Sequence, residues 1–281
     1  MLQSFAGLTA AYGKSGEEGT PQHQEYPTAD YGTALLLAFG IASALFVRAS
    51  TGRGQRLDTS LLGSALAMQN NALLHVDALD TWRDAWLADL ASARAAGESL
   101  EQLRARRQHL QPEVPTRTYY RTYATADGFI TIGALTPTLQ AKIRALIGLE
   151  DPWMEHPDQT PADPHAYTVA IAHQAEAVFR TRSTAAWQQA LLEAGVPVAP
   201  LQFTDEMFHD PQVSANGLIV TQEHPLLGTY RQLASPLQLS ATPFRPGDPS
   251  PTLGEHTDAV LRFAGFDDDE IAELRRGQVA R

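Results

Sequence analysis

The sequence predicts an α/β fold in which helices outweigh strands, and three stretches carry that prediction. Tyr31–Val47 holds no Asp, Glu, Lys or Arg and reads as one long apolar helix. "YYRTYATADGFITIGA" places two alternating runs around an Ala126–Gly128 turn, and "GLIVTQEHPLLGTYRQL" repeats the hairpin pattern. Elsewhere helical spacing dominates, leaving about five to seven short strands. With 281 residues, 43% of them hydrophobic, the chain is long enough for one large domain or two smaller ones.

Taken in order, residues 1–29 are punctuated by Gly13, Gly16, Gly19, Pro21 and Pro27 and lack apolar periodicity, so they predict irregular chain. A helix follows over 31–49, then a turn at Thr51–Gln55, a short strand over Arg56–Ser60 and a helix over Leu61–Leu74. Residues 79–111 are rich in Ala, Arg and Glu and predict polar helix broken at Gly97 and ended by Pro112. Trp82 and Trp86, four apart, face solvent or another subunit in this reading. After the first hairpin come a helix over Thr138–Ile147 closed by Gly148, a loop over 150–164, and helices near 165–180 and 183–194 with Ser183 as N-cap. "GVPVAPLQ" is extended, "TDEMFHDPQV" is helical and broken at Pro211, and a linker over Pro236–Pro251 leads to closing helices at 255–264 and 267–276.

Composition removes several functions. A net charge of −11 with no basic face argues against nucleic acid. The absence of cysteine excludes disulfides, thiolate catalysis and Cys-based metal sites, and makes the cytoplasm the expected location. The N-terminus has no basic-then-apolar signal pattern. Tyr31–Val47 is shorter than the roughly 20 residues of a bilayer span and contains Gly and Ser, which predicts a buried helix and no membrane partner. The histidines form no HExxH pair, and no GxSxG elbow occurs, so neither a metal site nor a seryl hydrolase is indicated.

Asp30, directly before the apolar run, has two compatible readings. It is a favoured N-cap, and a carboxylate held at a helix start, ionised and poorly hydrated, is also suited to nucleophilic catalysis. "TGRGQR" reads as a helix C-cap and turn, or as a loop whose Arg53 or Arg56 meets an anion. Glu255 in "LGEHT" reads as a first-turn acid of the following helix or as an acid supporting catalysis.

The block "ADYGTALLLAFGIASALFVRASTGRGQRLDTSLL" resembles the signature of the family III CoA-transferases of the CaiB/BaiF type. "YATADGFITI", "GVPVAPLQFTDEMFHDPQVSANGLI", "HPLLGTYRQLASPLQLSATP" and "PTLGEHTDAVLRFAGFDDDEIAEL" follow in the family's order, so the resemblance covers nearly the whole chain. It implies transfer of coenzyme A from an acyl-CoA to a carboxylic acid, with Asp30 as nucleophile and no metal. It places Tyr31, Gly32 and Glu255 in support, and Arg53, Gly54 and Gln55 against the CoA substrate. It implies a partial Rossmann-like large domain (1–117 and 227–281) around a small α+β domain (118–226), in an interlocked homodimer. The family's N-terminal nucleotide-binding half has no counterpart here, which implies a separate N-terminal CoA-binding subunit, a longer chain, or a non-catalytic dimerising remnant. The family's glycine-rich lid also has no counterpart before Gly128. A related branch racemises 2-methylacyl-CoA with an Asp at the position of Asp30.

Overall fold

A computed structural model describes residues 1–16 and 19–280. The chain divides into two compact units. One comprises Met1–Asp127 with Thr131–Val198; the other comprises Gly128–Ile130 with the chain from Ala199 onward.

The first unit opens with α1 (Leu2–Phe5) and α2 (Leu8–Tyr12), where the sequence predicts irregular chain. The turn between them is made by Gly7, whose φ of 86° is left-handed and open to glycine at no steric cost. Helix α3 (Thr28–Thr51) begins after Pro27 and ends at Gly52, which has a φ of 72° and donates its N–H to Arg48 O at 2.8 Å. Helix α4 (Leu61–Ala67) is capped by Ser60, whose Oγ accepts from Gly63 N, and α5 (Asn70–Leu73) follows. The helix predicted over 61–74 is thus interrupted. At the break, the Gln69 side-chain amide donates to Ala65 O at 3.0 Å and to Ala6 O at 2.8 Å, tying α4 to the end of α1. The strand predicted over Arg56–Ser60 does not form; Arg56 and Asp58 pair with each other in solvent at 2.8 Å, and among the described residues no strand pairs with this segment.

Helices α6 (Thr81–Ala95) and α7 (Leu100–Leu110) flank Gly97, as predicted, and Ser99 with Gln102 forms a capping box at the start of α7. A 3-10 turn at Pro115–Tyr119 leads to the hairpin β1 (Tyr120–Ala124) and β2 (Phe129–Gly133). Helices α8 (Pro137–Ile147), α9 (Pro152–Glu155), α10 (Pro164–Phe179) and α11 (Thr184–Glu193) complete the unit. Gly148 closes α8 and Ser183 caps α11, as the sequence predicts. Asp127 does more than turn the hairpin: its Oδ1 accepts from Thr184 N at 2.7 Å and Thr184 Oγ1 at 2.9 Å, fastening the turn to the start of α11.

The core of this unit is aromatic. Tyr123 stacks on Phe179 at 4.8 Å, and Phe179 meets Trp187 edge-on at 5.1 Å. All three are buried and their polar atoms are satisfied: Tyr123 donates to Thr118 O and Trp187 Nε1 to Phe179 O, both at 2.7 Å. A third strand, β3 (Val198–Pro200), joins the hairpin in the order β1-β2-β3.

In the second unit a 3-10 turn at Thr204–Phe208 and α12 (Pro211–Ala215), capped by Asp210, precede the antiparallel pair β4 (Ile219–His224) and β5 (Gly228–Leu233). Helices α13 (Thr257–Phe263) and α14 (Asp268–Arg276) end it, the latter with a capping box between Asp267 and Glu270. Residues 236–251 carry no regular structure.

Helix α3 corrects the sequence reading. It is predicted to be buried, yet only Ala29 and Gly32 are; Leu35, Phe39, Leu45 and Phe46 are all more than half exposed. At 24 residues and a mean hydropathy of 1.8 it is long and apolar enough to cross a membrane, by length and composition alone. Near its start it packs on α4, where the small residues Ala29, Gly32, Ser64 and Ala65 meet.

Candidate active site

Asp30 lies in the first turn of α3, but it is not the cap. Pro27 occupies that position, and Asp30 is the third helical residue, with its N–H donated to Pro27 O at 3.0 Å. A carboxylate there faces the positive end of the helix dipole. The turn is anchored on both sides of it. Ala29 packs with Leu8 and Ala65, and Gly32 lies against Ser64 and Met68, so the backbone carrying Asp30 is fixed. The side chain itself is exposed and has no hydrogen-bond or ionic partner among the described residues. The dehydrated carboxylate expected for a nucleophile is therefore not formed by the described residues: the turn fixes the Asp30 backbone and leaves its side chain uncovered. Its neighbour Tyr31 is 62% exposed.

The "TGRGQ" loop stands at the other end of α3. At 1.5 Å per residue the last helical residue, Thr51, is about 32 Å from Asp30 along the helix axis and Arg53 lies just beyond it, so this chain does not bring them into one site. The loop folds back on the helix. Leu57 covers Gly40 so closely that a Cβ there would lie 2.9 Å from both Leu57 methyl carbons. Gly54 and Gln55 line a recess of about 250 Å³ with Ile41, Leu45 and Arg48, and Arg53 is exposed outside it. That volume falls below the roughly 300–1,000 Å³ of small-molecule pockets.

Glu255 belongs to the second unit and is not in the first turn of α13, whose acid is Asp258. It closes its own loop, accepting from Thr252 N at 2.6 Å and Thr252 Oγ1 at 3.0 Å. These bonds hold its carboxyl below the ordinary carboxylate pKa.

The largest departure from the sequence reading is in α6 and α7. Trp82 and Trp86 are half-buried, not free on a polar face. The guanidiniums of Arg83 and Arg107 lie 5.1 and 5.3 Å from the Trp82 ring, and Trp86 lines a cavity. No local signal announced this, because the arginines that converge there come from three separate segments. Among the described residues no cluster of His, Asp and Glu could hold a metal ion.

Comparison with known proteins gives this geometry a context. The family profile of CoA-transferase family III matches residues 1–257. The chain belongs to CoA-transferase family III. Formyl-CoA:oxalate CoA-transferase of Rhodopseudomonas palustris (strain BisA53) is 29% identical over 260 residues, covering 92% of this chain and 60% of that protein. Alpha-methylacyl-CoA racemase of Mus musculus is 28% identical over 282 residues, covering 98% of this chain and 64% of that protein. Among solved structures, a CAIB/BAIF family protein from Brucella suis superposes with a TM-score of 0.60 at 22% identity, over 94% of this chain and 61% of that one. A hypothetical protein from Mycobacterium tuberculosis gives a TM-score of 0.63 at 20% identity over 92% of this chain and 61% of that one. The family III chain described here has the CaiB/BaiF-type fold and spans about 60% of the length of the curated transferases it matches.

Proposed function

We propose that this chain is the catalytic-aspartate part of a family III CoA-transferase, moving CoA from an acyl-CoA to a small carboxylic acid. Asp30 is the nucleophile in this reading. Its carboxylate attacks the thioester carbonyl carbon, the C–S bond breaks, and CoA thiolate leaves an aspartyl–acyl anhydride. The thiolate then attacks the aspartyl carbonyl, releasing the donor acid and forming an aspartyl-CoA thioester. The acceptor carboxylate attacks that thioester and expels thiolate, which takes the acceptor acyl group and restores the Asp30 carboxylate. Splitting the exchange into these steps replaces one high barrier with several lower ones. The positive end of the α3 dipole, beside Asp30, is suited to steadying the oxyanions.

The single observation that carries the proposal is the first turn of α3, where the backbone bearing Asp30 is packed through Ala29 and Gly32 and its carboxylate is left accessible. An exposed apolar α3 fits the same reading: a nucleotide-binding half, on a separate subunit or a longer chain, covers Phe39, Leu45 and Phe46 and dehydrates Asp30. We place this assembly in the cytoplasm as a homodimer, with Tyr31 beside the nucleophile and Arg53, Gly54 and Gln55 serving CoA or the partner chain. The test is mass spectrometry of the Asp30 peptide after acyl-CoA and hydroxylamine are added to the chain together with a nucleotide-binding half. An Asp30 adduct that Asp30→Asn lacks is the expected result; an unmodified peptide in the assembled protein overturns the proposal.

The racemase relative supports a second reading, in which Asp30 moves a proton at the 2-carbon of a 2-methylacyl-CoA. Exchange of that hydrogen in deuterated water, without transfer of CoA to an acid, selects it.

A further inference from the structure

A cavity of about 570 Å³ opens in the first unit between α2, α5, α6 and α7. Its size lies within the range of small-molecule sites. Ala10, Ala11, Ala72, Leu90, Leu103 and Trp86 give it an apolar body. Its charged lining is of one sign. Among the described residues Arg94, Arg104, Arg107 and Arg117 line it and no Asp or Glu does, in a chain where 32 acids outnumber 21 bases.

The four arginines are not equivalent. Arg104 is committed to the end of α2, donating to Ala10 O at 2.8 Å and Gly13 O at 2.7 Å. Arg117 pairs with the nearly buried Glu113 at 3.1 Å. Arg94 and Arg107 have no carboxylate partner among the described residues. Arg107 is half-buried, and its one polar contact is a long 3.4 Å bond to Gln111 Oε1. Burial, with Arg83 and Arg117 close by, holds its pKa below the ordinary arginine value. A guanidinium in part desolvated, beside like charges and without a counter-ion among the described residues, is unfavourable until an anion joins it.

We infer that this cavity binds a small amphipathic anion, its apolar body among Leu90, Leu103 and Trp86 and its anionic head on the fork of Arg107 with Arg94 beside it. An arginine fork grips a carboxylate or a phosphate monoester in two parallel bonds. The site is independent of the chemistry at Asp30, and its residues take no part in that reading.

The test is calorimetric titration of the full chain with decanoate, decanol and inorganic phosphate, followed in parallel by tryptophan fluorescence. Decanoate is expected to saturate one site per chain, with decanol and phosphate at least about tenfold weaker, the loss of one well-placed ionic or apolar half. Arg107→Gln should weaken decanoate about tenfold, Arg107→Lys less, and Arg231→Gln in the second unit not at all. Arg94→Gln, on the exposed last turn of α6, gives the same direction if Arg107→Gln does not fold. Decanoate binding that is absent, matched by decanol or phosphate, or unchanged in both Arg107→Gln and Arg94→Gln overturns the inference; the last outcome is what adsorption to exposed apolar surface such as that of α3 would give.

Discussion

Gly32 of α3 faces Met68 at the end of α4 so closely that a Cβ at position 32 would lie 3.1 Å from Met68 Cε and 3.7 Å from Ser64 Cβ. The helix carrying Asp30 is seated on α4 through this contact and through Ala29 against Ala65. Met68 Cε is the end of a flexible side chain, so Gly32→Ala is expected to be near neutral, the small crowding offset by better helix propensity. Gly32→Val is expected to cost about 1–3 kcal/mol by overpacking. Urea denaturation of the two variants distinguishes these outcomes.

Asp30 separates stability from chemistry. Its side chain has no partner to lose, so Asp30→Asn should change folding stability by only about 0.3–1 kcal/mol, the interaction of a first-turn acid with the helix dipole. CoA transfer by the assembled protein should fall by more than about a thousandfold, as expected when a covalent route is closed. Thermal unfolding and a coupled transfer assay on the same preparation check both parts.

Exposed apolar residues on α3 predict the opposite separation from a core substitution. Phe39 is 74% exposed, so Phe39→Asp should leave the denaturant midpoint of the isolated chain within about 0.5 kcal/mol in free-energy terms. Assembly with a nucleotide-binding half should be lost, because a charge would be buried without a partner. Analytical ultracentrifugation of the mixed components reads this directly.

Asp151 is buried and accepts from Tyr119 Oη at 2.8 Å, Tyr167 Oη at 2.7 Å and Met154 N at 3.3 Å. Asp151→Ala leaves buried hydroxyl donors unpaired and should cost about 3 kcal/mol, whereas Tyr167→Phe should cost about 1 kcal/mol. Chemical denaturation of the two variants measures the ratio.

The same cluster predicts an alkaline limit to stability. Burial, reinforced by Asp151, raises the Tyr119 pKa, and burial raises that of Tyr123; the Tyr167 hydroxyl is pushed up to about 12. The folded state therefore keeps these protons where the unfolded chain loses them. Their stabilising contribution is fully present below the unfolded tyrosine pKa near 10, and it declines as pH rises from there through the folded values. Each of the two fully buried tyrosines, Tyr119 and Tyr123, contributes a slope of up to about 1.4 kcal/mol per pH unit in that window. Urea midpoints between pH 9 and 11 should fall, less steeply in Tyr123→Phe.

Asp127 sets a matching acid limit. Its bonds from the Thr184 backbone and hydroxyl lower its folded pKa, so its contribution is present above the unfolded value and lost as pH falls through the folded one. Asp127→Ala should lower the melting temperature at pH 7 and flatten the acid limb of its pH profile.

What the sequence determined by itself was local or was carried by order. Gly52, Gly97 and Gly148 mark where helices end because a left-handed residue is required there, and Ser183 marks a start because its hydroxyl reaches an N–H three residues on. The β4–β5 hairpin was legible from alternation, and the family from motifs in sequence. Residues 1–29 hid α1 and α2 because helices of four and five residues carry too few turns to show a period. Only the tertiary structure decided that Arg56–Ser60 pairs with no strand among the described residues, that α3 turns most of its apolar surface outward, that Asp30 and Arg53 stand at opposite ends of one helix, and that arginines from α6, α7 and the turn after it line one cavity. Caps and turns are settled by hydrogen bonds within a few residues of chain. Exposure, strand pairing and the meeting of distant charges depend on which segments pack together, and no local pattern encodes that.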